Sequence, residues 1–260
     1  MWKTLAVLLV AMGCLIVSGC NTQKMTCHWT SLPIQVDGHM DDWADIPVSF
    51  FAEKGYTIGL ANDDERLYLL LRFRDSKWAA SIRAKGLTLW FNTNGDKDED
   101  ITIHYRGGPP MEELSAQSKW MSTFHSDSLA ETFTYAVKDM IIEKPISPDG
   151  SSGPAVAFAL DQGFFNYEFS IPLAEGEVRH YGLVTQTGKT LGVGAKWGGF
   201  DRRGVERIDG SGRKGDGSKM TRGGRGGGKG MRGGDRSGMQ QEHQPVEIWV
   251  RTMLSKPPSD

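Results

Sequence analysis

The feature that most constrains this chain is a two-residue repeat in hydrophobicity, sustained from Pro33 to Phe200. Leu67, Leu69, Leu71 and Phe73 alternate with Tyr68, Leu70, Arg72 and Arg74. Leu87, Leu89 and Phe91 alternate with Thr88, Trp90 and Asn92, and Ile101, Ile103 and Tyr105 alternate with Thr102 and His104. Tyr167, Phe169 and Ile171 follow, then Leu191, Val193, Ala195 and Trp197. Val246, Ile248 and Val250 form the final run against Glu247, Trp249 and Arg251. Successive side chains on a strand point to opposite faces, so this period predicts half-buried strands rather than helices. Asn62-Asp63-Asp64, Asn94-Gly95-Asp96 and Pro148-Asp149-Gly150 bound the runs as turns. Many short alternating strands without long helices between them predict an all-β fold, an antiparallel β-sandwich. Met111 to Met121 is the one stretch that reads as a short helix crossing an edge.

Composition agrees with a packed core. Eight Trp and eleven Phe among 260 residues, with 38% hydrophobic residues, exclude wholesale disorder. Three cysteines, two of them near the start at Cys14 and Cys20, exclude a disulfide scaffold.

The N-terminus reads as an address. Lys3 precedes an apolar run from Leu5 to Val17, which ends in Val17-Ser18-Gly19-Cys20. The run is too short to span a bilayer and has the layout of a secretory signal, residues 1–19. A cysteine directly after small residues resembles the lipobox of bacterial lipoproteins. The resemblance implies a lipid anchor on Cys20, with 20–32 as a lipidated linker. Asn21 in place of Asp resembles outer-membrane sorting, so the expected location is the cell envelope. Several acyl chains hold a protein on a membrane without a spanning helix.

Four blocks in the body carry a second resemblance. The first is Ile34-Gln35-Val36-Asp37-Gly38-His39-Met40-Asp41-Asp42-Trp43, and the second runs from Ala61 through Asp63-Asp64 to Leu67-Tyr68 and on to Arg74-Asp75. The third is the hairpin Leu89 to Asp96, and the fourth is Tyr167-Glu168-Phe169-Ser170-Ile171-Pro172-Leu173. In this order they resemble the family 9 carbohydrate-binding modules and the wider DOMON-like group. The resemblance spans Pro33 to Gly199 plus the strand Val246 to Leu254, and gives a domain over 33–254. It implies a β-sandwich that binds sugar or, in the DOMON-like branch, haem or another redox ligand. Taken as residues alone, Asp37-Gly38 is a turn, Trp43 a core plug, Asp63-Asp64 hairpin chemistry, and Pro172 a strand end.

Sugar binding draws on aromatic faces that stack on the C–H face of a pyranose, with polar groups at its hydroxyls. Trp78, in a loop after a strand, Trp90, opposite in phase to Leu89 and Phe91, and Trp197, beside Gly198-Gly199, are the candidate ligand-binding residues; Trp120 lies in the irregular middle. Asn92, Asn94, Asp96, Asp98 and Asp100 place oxygen ligands at every second position. Asn94, Asp96, Asp98 and Asp100 are therefore candidate ligands of a structural calcium, although Lys97 and Ile103 break the EF-hand register. A solvated hairpin is the competing reading. No nucleophile elbow, zinc-helix motif or phosphate loop occurs, and the six histidines lack metal spacing, so the chain reads as a binding protein rather than an enzyme. His104 and His125 are the histidines that a haem-binding alternative would use; a purely structural envelope lipoprotein is the third reading.

Residues 202–242 break the pattern. Within 202–236 there are 13 Gly, with eight Arg and three Lys against four acids, a net charge of +7, and no aromatic residue. Such a composition predicts a disordered insertion between two strands. Export and the missing stacking aromatics argue against nucleic acid. An anionic surface outside the cytoplasm is the expected partner of the insertion.

Overall fold

The computed structural model describes residues 23–109, 131–138, 144–174, 181–199 and 244–259. The signal run, Cys20, the Met111–Met121 segment with Trp120, His125 and the 202–242 insertion lie outside the described residues. Thirteen strands are described: β1 (Gln23–Lys24), β2 (His28–Trp29), β3 (Ser49–Phe51), β4 (Tyr56–Asn62), β5 (Arg66–Phe73), β6 (Leu87–Asn92), β7 (Ile101–Arg106), β8 (Thr132–Val137), β9 (Lys144–Pro145), β10 (Ala155–Asp161), β11 (Phe164–Pro172), β12 (Thr190–Gly198) and β13 (Pro245–Met253). They form a seven-stranded sheet in the order β1-β13-β12-β6-β7-β8-β9 and a six-stranded sheet in the order β10-β11-β5-β4-β2, with β3 also on β4.

The alternation sets the sandwich. Leu67, Leu69, Leu71 and Phe73 of β5 meet Leu87, Leu89 and Phe91 of β6, Tyr167, Phe169 and Ile171 of β11, and Leu191 and Val193 of β12 in one core. The purely antiparallel expectation needs one correction. β1 pairs parallel with β13, and β2 parallel with β4, over two residues each, so both sheets are mixed at an edge. Residues 23–29, expected to be linker, therefore belong to the sandwich. Asn62 secures this end: its Oδ1 accepts from Cys27 Sγ at 3.2 Å and Ser255 N at 2.7 Å.

The sequence reading also misses a helix. Trp78 lies not in a loop but in α1 (Ser76–Lys85), capped by the Asp75 side chain, which accepts from Lys77 N at 2.8 Å. Gly86 follows its last turn, and its N–H reaches Ile82 O. Ala79, Ala80 and Ile82 bury the inner face of α1, which packs against β12 and β7.

On the outer side of the six-stranded sheet, the segment Ile34 to Ile46 lies over Ala61, Tyr68 and Leu70 and forms a second small core around Trp43. The carboxylate of Glu168, on β11, fastens it. Its Oε1 accepts from Trp43 Nε1 at 2.7 Å, and its Oε2 from Asp37 N at 3.1 Å and Gly38 N at 3.0 Å. Burial pushes this carboxyl above its ordinary pKa, and the three N–H donors pull it back. Gly38 has a φ of +81° and lies against the backbone of Ala159, a place where neither the conformation nor the space admits a side chain.

Candidate functional site

The outer face of the seven-stranded sheet has a different surface. Alternation sends Trp90 away from the buried Leu89 and Phe91, and on β13 it sends Trp249 away from Val250. The register places both beside the same glycine, since Gly194 of β12 pairs with Trp90 on one side and Trp249 on the other. A side chain at 194 would meet the fused edge of the Trp249 indole at 2.8–2.9 Å, so that ring lies flat on the backbone of β12. The two indoles stack, with centroids 5.7 Å apart and planes within 5°. Trp90 is 7% exposed and Trp249 half-buried, and Thr102 of β7 extends the row on the far side of Trp90.

A polar row runs alongside, two residues along each strand and hence about 7 Å away. In register it reads Glu247, Lys196, Thr88, His104 and Thr134. Lys196 Nζ lies 3.2 Å from Glu247 Oε2 and 5.9 Å from the Trp90 ring centre. Thr88 Oγ1 lies 3.0 Å from His104 Nδ1. An apolar stripe bordered by hydrogen-bonding side chains can stack on one face of a sugar while donors and acceptors reach its hydroxyls.

The other tryptophans named from the sequence serve differently. Trp197 is 1% exposed and meets Tyr56 edge-on at 5.0 Å, while Trp78 meets Trp197 at 5.9 Å and Phe73 at 5.4 Å. The fold thus brings Trp78 and Trp197 together, but as packing between α1 and the sandwich rim. Trp197 is corrected from platform to core. Trp249 is the residue that sequence reasoning passed over as a site. Its parity with Glu247 and Arg251 was the available signal.

The oxygen-rich hairpin closes on itself. Asn92 Oδ1 accepts from Asn94 N at 3.0 Å and Asp96 N at 2.9 Å, and Asn92 Nδ2 donates to Asp100 Oδ2 at 2.6 Å. Asp96 faces Arg251 at 3.5 Å, and Lys138 lies 3.9 Å from Asp98 and 3.6 Å from Asp100. Among the described residues no three His, Cys, Asp or Glu side chains converge as metal ligands. Asp96, Asp98 and Asp100 thus face protein cations, Asp100 also accepts from the Asn92 amide, and the backbone N–H groups of the turn go to Asn92.

The fold and this face define an all-β sandwich with an outward aromatic stripe. No protein-family model matches the chain, and no curated protein matches it. Among solved structures, the chain is similar to a carbohydrate-binding module of family 9 from Caldicellulosiruptor kristjanssonii in complex with glucose, with 14% identity over 70% of this chain and 81% of that one, and a TM-score of 0.36. A family 9 module from the same organism in complex with cellotriose shows 12% identity over 92% of this chain and 96% of that one, and a TM-score of 0.41.

Proposed function

We propose that the protein is a membrane-anchored, non-catalytic glycan-binding lipoprotein that holds its ligand on the Trp90–Trp249 stripe. The observation that carries this reading is the parallel indole pair laid over Gly194, with the Glu247–Lys196 and Thr88–His104 pairs beside it. Trp249 supplies a stacking surface, and the polar row supplies hydroxyl partners. Titration of the folded protein with a panel of neutral oligosaccharides should change its tryptophan emission. Trp249→Ala should weaken that binding at least ~10-fold, the effect of losing about 1.4 kcal/mol. No response across the panel from folded protein would sink the reading.

Two motifs extend it. Cys20 carries the lipid that keeps the domain at the cell envelope, on the outer membrane by the Asn21 signal; Cys20→Ser should leave the membrane fraction without lipidated product. The basic stretch 202–242 adds affinity for an anionic surface. Replacing 204–238 by a short Gly/Ser turn should reduce salt-sensitive adsorption to anionic vesicles while neutral-sugar binding persists.

A further inference from the structure

The open end of the six-stranded sheet's outer face carries a cationic arrangement that the stripe does not use. Phe164 opens β11 one position beyond the Phe165–Phe73 pair, which sets it across from Arg74 and diagonal to Arg72. Both guanidinium carbons stand over its ring, Arg72 Cζ at 3.8 Å and Arg74 Cζ at 4.0 Å from the centre. Two like charges are thus held no further apart than the sum of those distances. The ring attracts each by ~0.5–1 kcal/mol, which fixes their position without neutralising them. Among the described residues neither guanidinium forms a salt bridge, and Arg72 Nε is buried with no hydrogen-bond partner. Burial holds Arg72 below the ordinary arginine pKa; Asp161 opposes that shift and Arg74 adds to it. Asp161, paired with Phe164 across the β10–β11 hairpin, is the acid on this patch. Thr57 and Asn166 flank Arg72 in register, and Phe50, 67% exposed, ends the same row.

We infer that Arg72 and Arg74, held on Phe164, form a second site that binds the carboxylate of a uronic-acid residue in an acidic polysaccharide. Guanidinium forks match the two oxygens of a carboxylate. Two arginines against Asp161 leave one net positive charge, which suits a monoanion better than a dianionic phosphate ester. The site lies on the opposite sheet from the stripe and shares with the reading above only the choice of a glycan ligand.

The test uses the full chain and trigalacturonate, too short to report chiefly on the basic insertion. Isothermal titration at low salt should show binding to wild type that Arg72→Gln/Arg74→Gln weakens at least tenfold. Binding of neutral oligosaccharides should stay within twofold. Arg72→Lys/Arg74→Lys keeps both charges and loses the forks, and should still weaken trigalacturonate at least threefold. Unchanged trigalacturonate binding in the folded glutamine variant, or none to wild type, would overturn the site. A lysine pair as good as arginine, or a tri-glutamate peptide or inorganic phosphate that competes as well as trigalacturonate, would overturn the uronate assignment. Loss of neutral-sugar binding in Trp249→Ala with trigalacturonate unaffected separates the two sites. A wild type that binds trigalacturonate through the arginines and no neutral sugar would fail the stripe alone.

Discussion

Each sheet of this sandwich lays an indole flat on a strand glycine of its outer face, and the two pairs have opposite fates. On the six-stranded sheet, a side chain at Gly59 would meet the Trp43 ring at 2.5–2.9 Å, and Trp43 is 2% exposed beneath its own segment, with its N–H on Glu168. On the seven-stranded sheet, Trp249 lies over Gly194 in the same way but stays half-buried beside Trp90. The local device is shared; what differs is the cover. Where the chain folds back over the sheet, the ring is core and its polar atom must find a buried partner. Where the ring stays partly exposed, it is a surface that a ligand can cover.

The comparison breaks most visibly on the covered side. Glu168→Ala would leave the buried N–H groups of Gly38 and Trp43, and the part-buried one of Asp37, without an acceptor, and Trp43→Ala would empty the second core. Each should cost about 3–5 kcal/mol in chemical denaturation, with a domain too unstable for ligand work as the extreme outcome. A loss below ~1 kcal/mol for both would mean that the segment Ile34 to Ile46 does not hold its face closed.

Trp249→Ala tests the open side. A partly exposed indole and one stacking contact are at stake, so about 1–2 kcal/mol of stability should go. The larger effect should be on oligosaccharide binding, as stated above. A stability loss matching that of Trp43→Ala would make Trp249 a core residue and erase the contrast. Gly194→Ala is subtler. Its methyl must lift the indole off β12, at about 1 kcal/mol because a partly exposed ring can move. Oligosaccharide affinity should fall several-fold with the stripe's shape, and an unchanged affinity would show that the flat seat of Trp249 is irrelevant.

The smallest effect concerns acid. Asp149 is held down to about 2, chiefly by hydrogen bonds from the side chain and backbone N–H of Ser151, then by the Ser147 hydroxyl. Its folded pKa lies below its unfolded one, so the stability it adds is complete above the ordinary value of 3.8 and is lost as pH falls through about 2. In an acid titration of stability, Asp149→Asn should flatten this window slightly. It should leave the neutral-pH stability contrast between the Trp43 and Trp249 variants unchanged.

Much of the architecture was legible in the sequence. Period two named the core residues of β5, β6, β7, β11 and β12, and the turn clusters bounded them. Asp63 takes up its turn through hydrogen bonds from Glu65 N and Arg66 N at 2.8 and 2.6 Å. Pro172 ends β11 beyond its last β10 partner, at Ser170. Helix α1 was not read from the sequence: Asp75 before it and Gly86 after it are its end signals, but its small apolar face of Ala79, Ala80 and Ile82 gives little periodic signal. The outward aim of Trp90 also followed from sequence alone.

Tertiary structure alone decided what lies on each outward face. Alternation places Glu168 out of phase with Tyr167 and Phe169, which reads as a surface acid; only the return of Ile34 to Ile46 over that strand makes it a buried latch. Alternation likewise aims Trp90 and Trp249 outward. Only the strand order β6-β12-β13 sets them on either side of one glycine. Trp197 is in phase with its buried neighbours, yet its role as the partner of Tyr56 and Trp78 depends on where α1 docks. A strand's period is local, because it follows from the geometry of successive residues. Sheet order and cover are contacts between distant segments, set by which burial is best satisfied over the whole chain, and no local pattern encodes them.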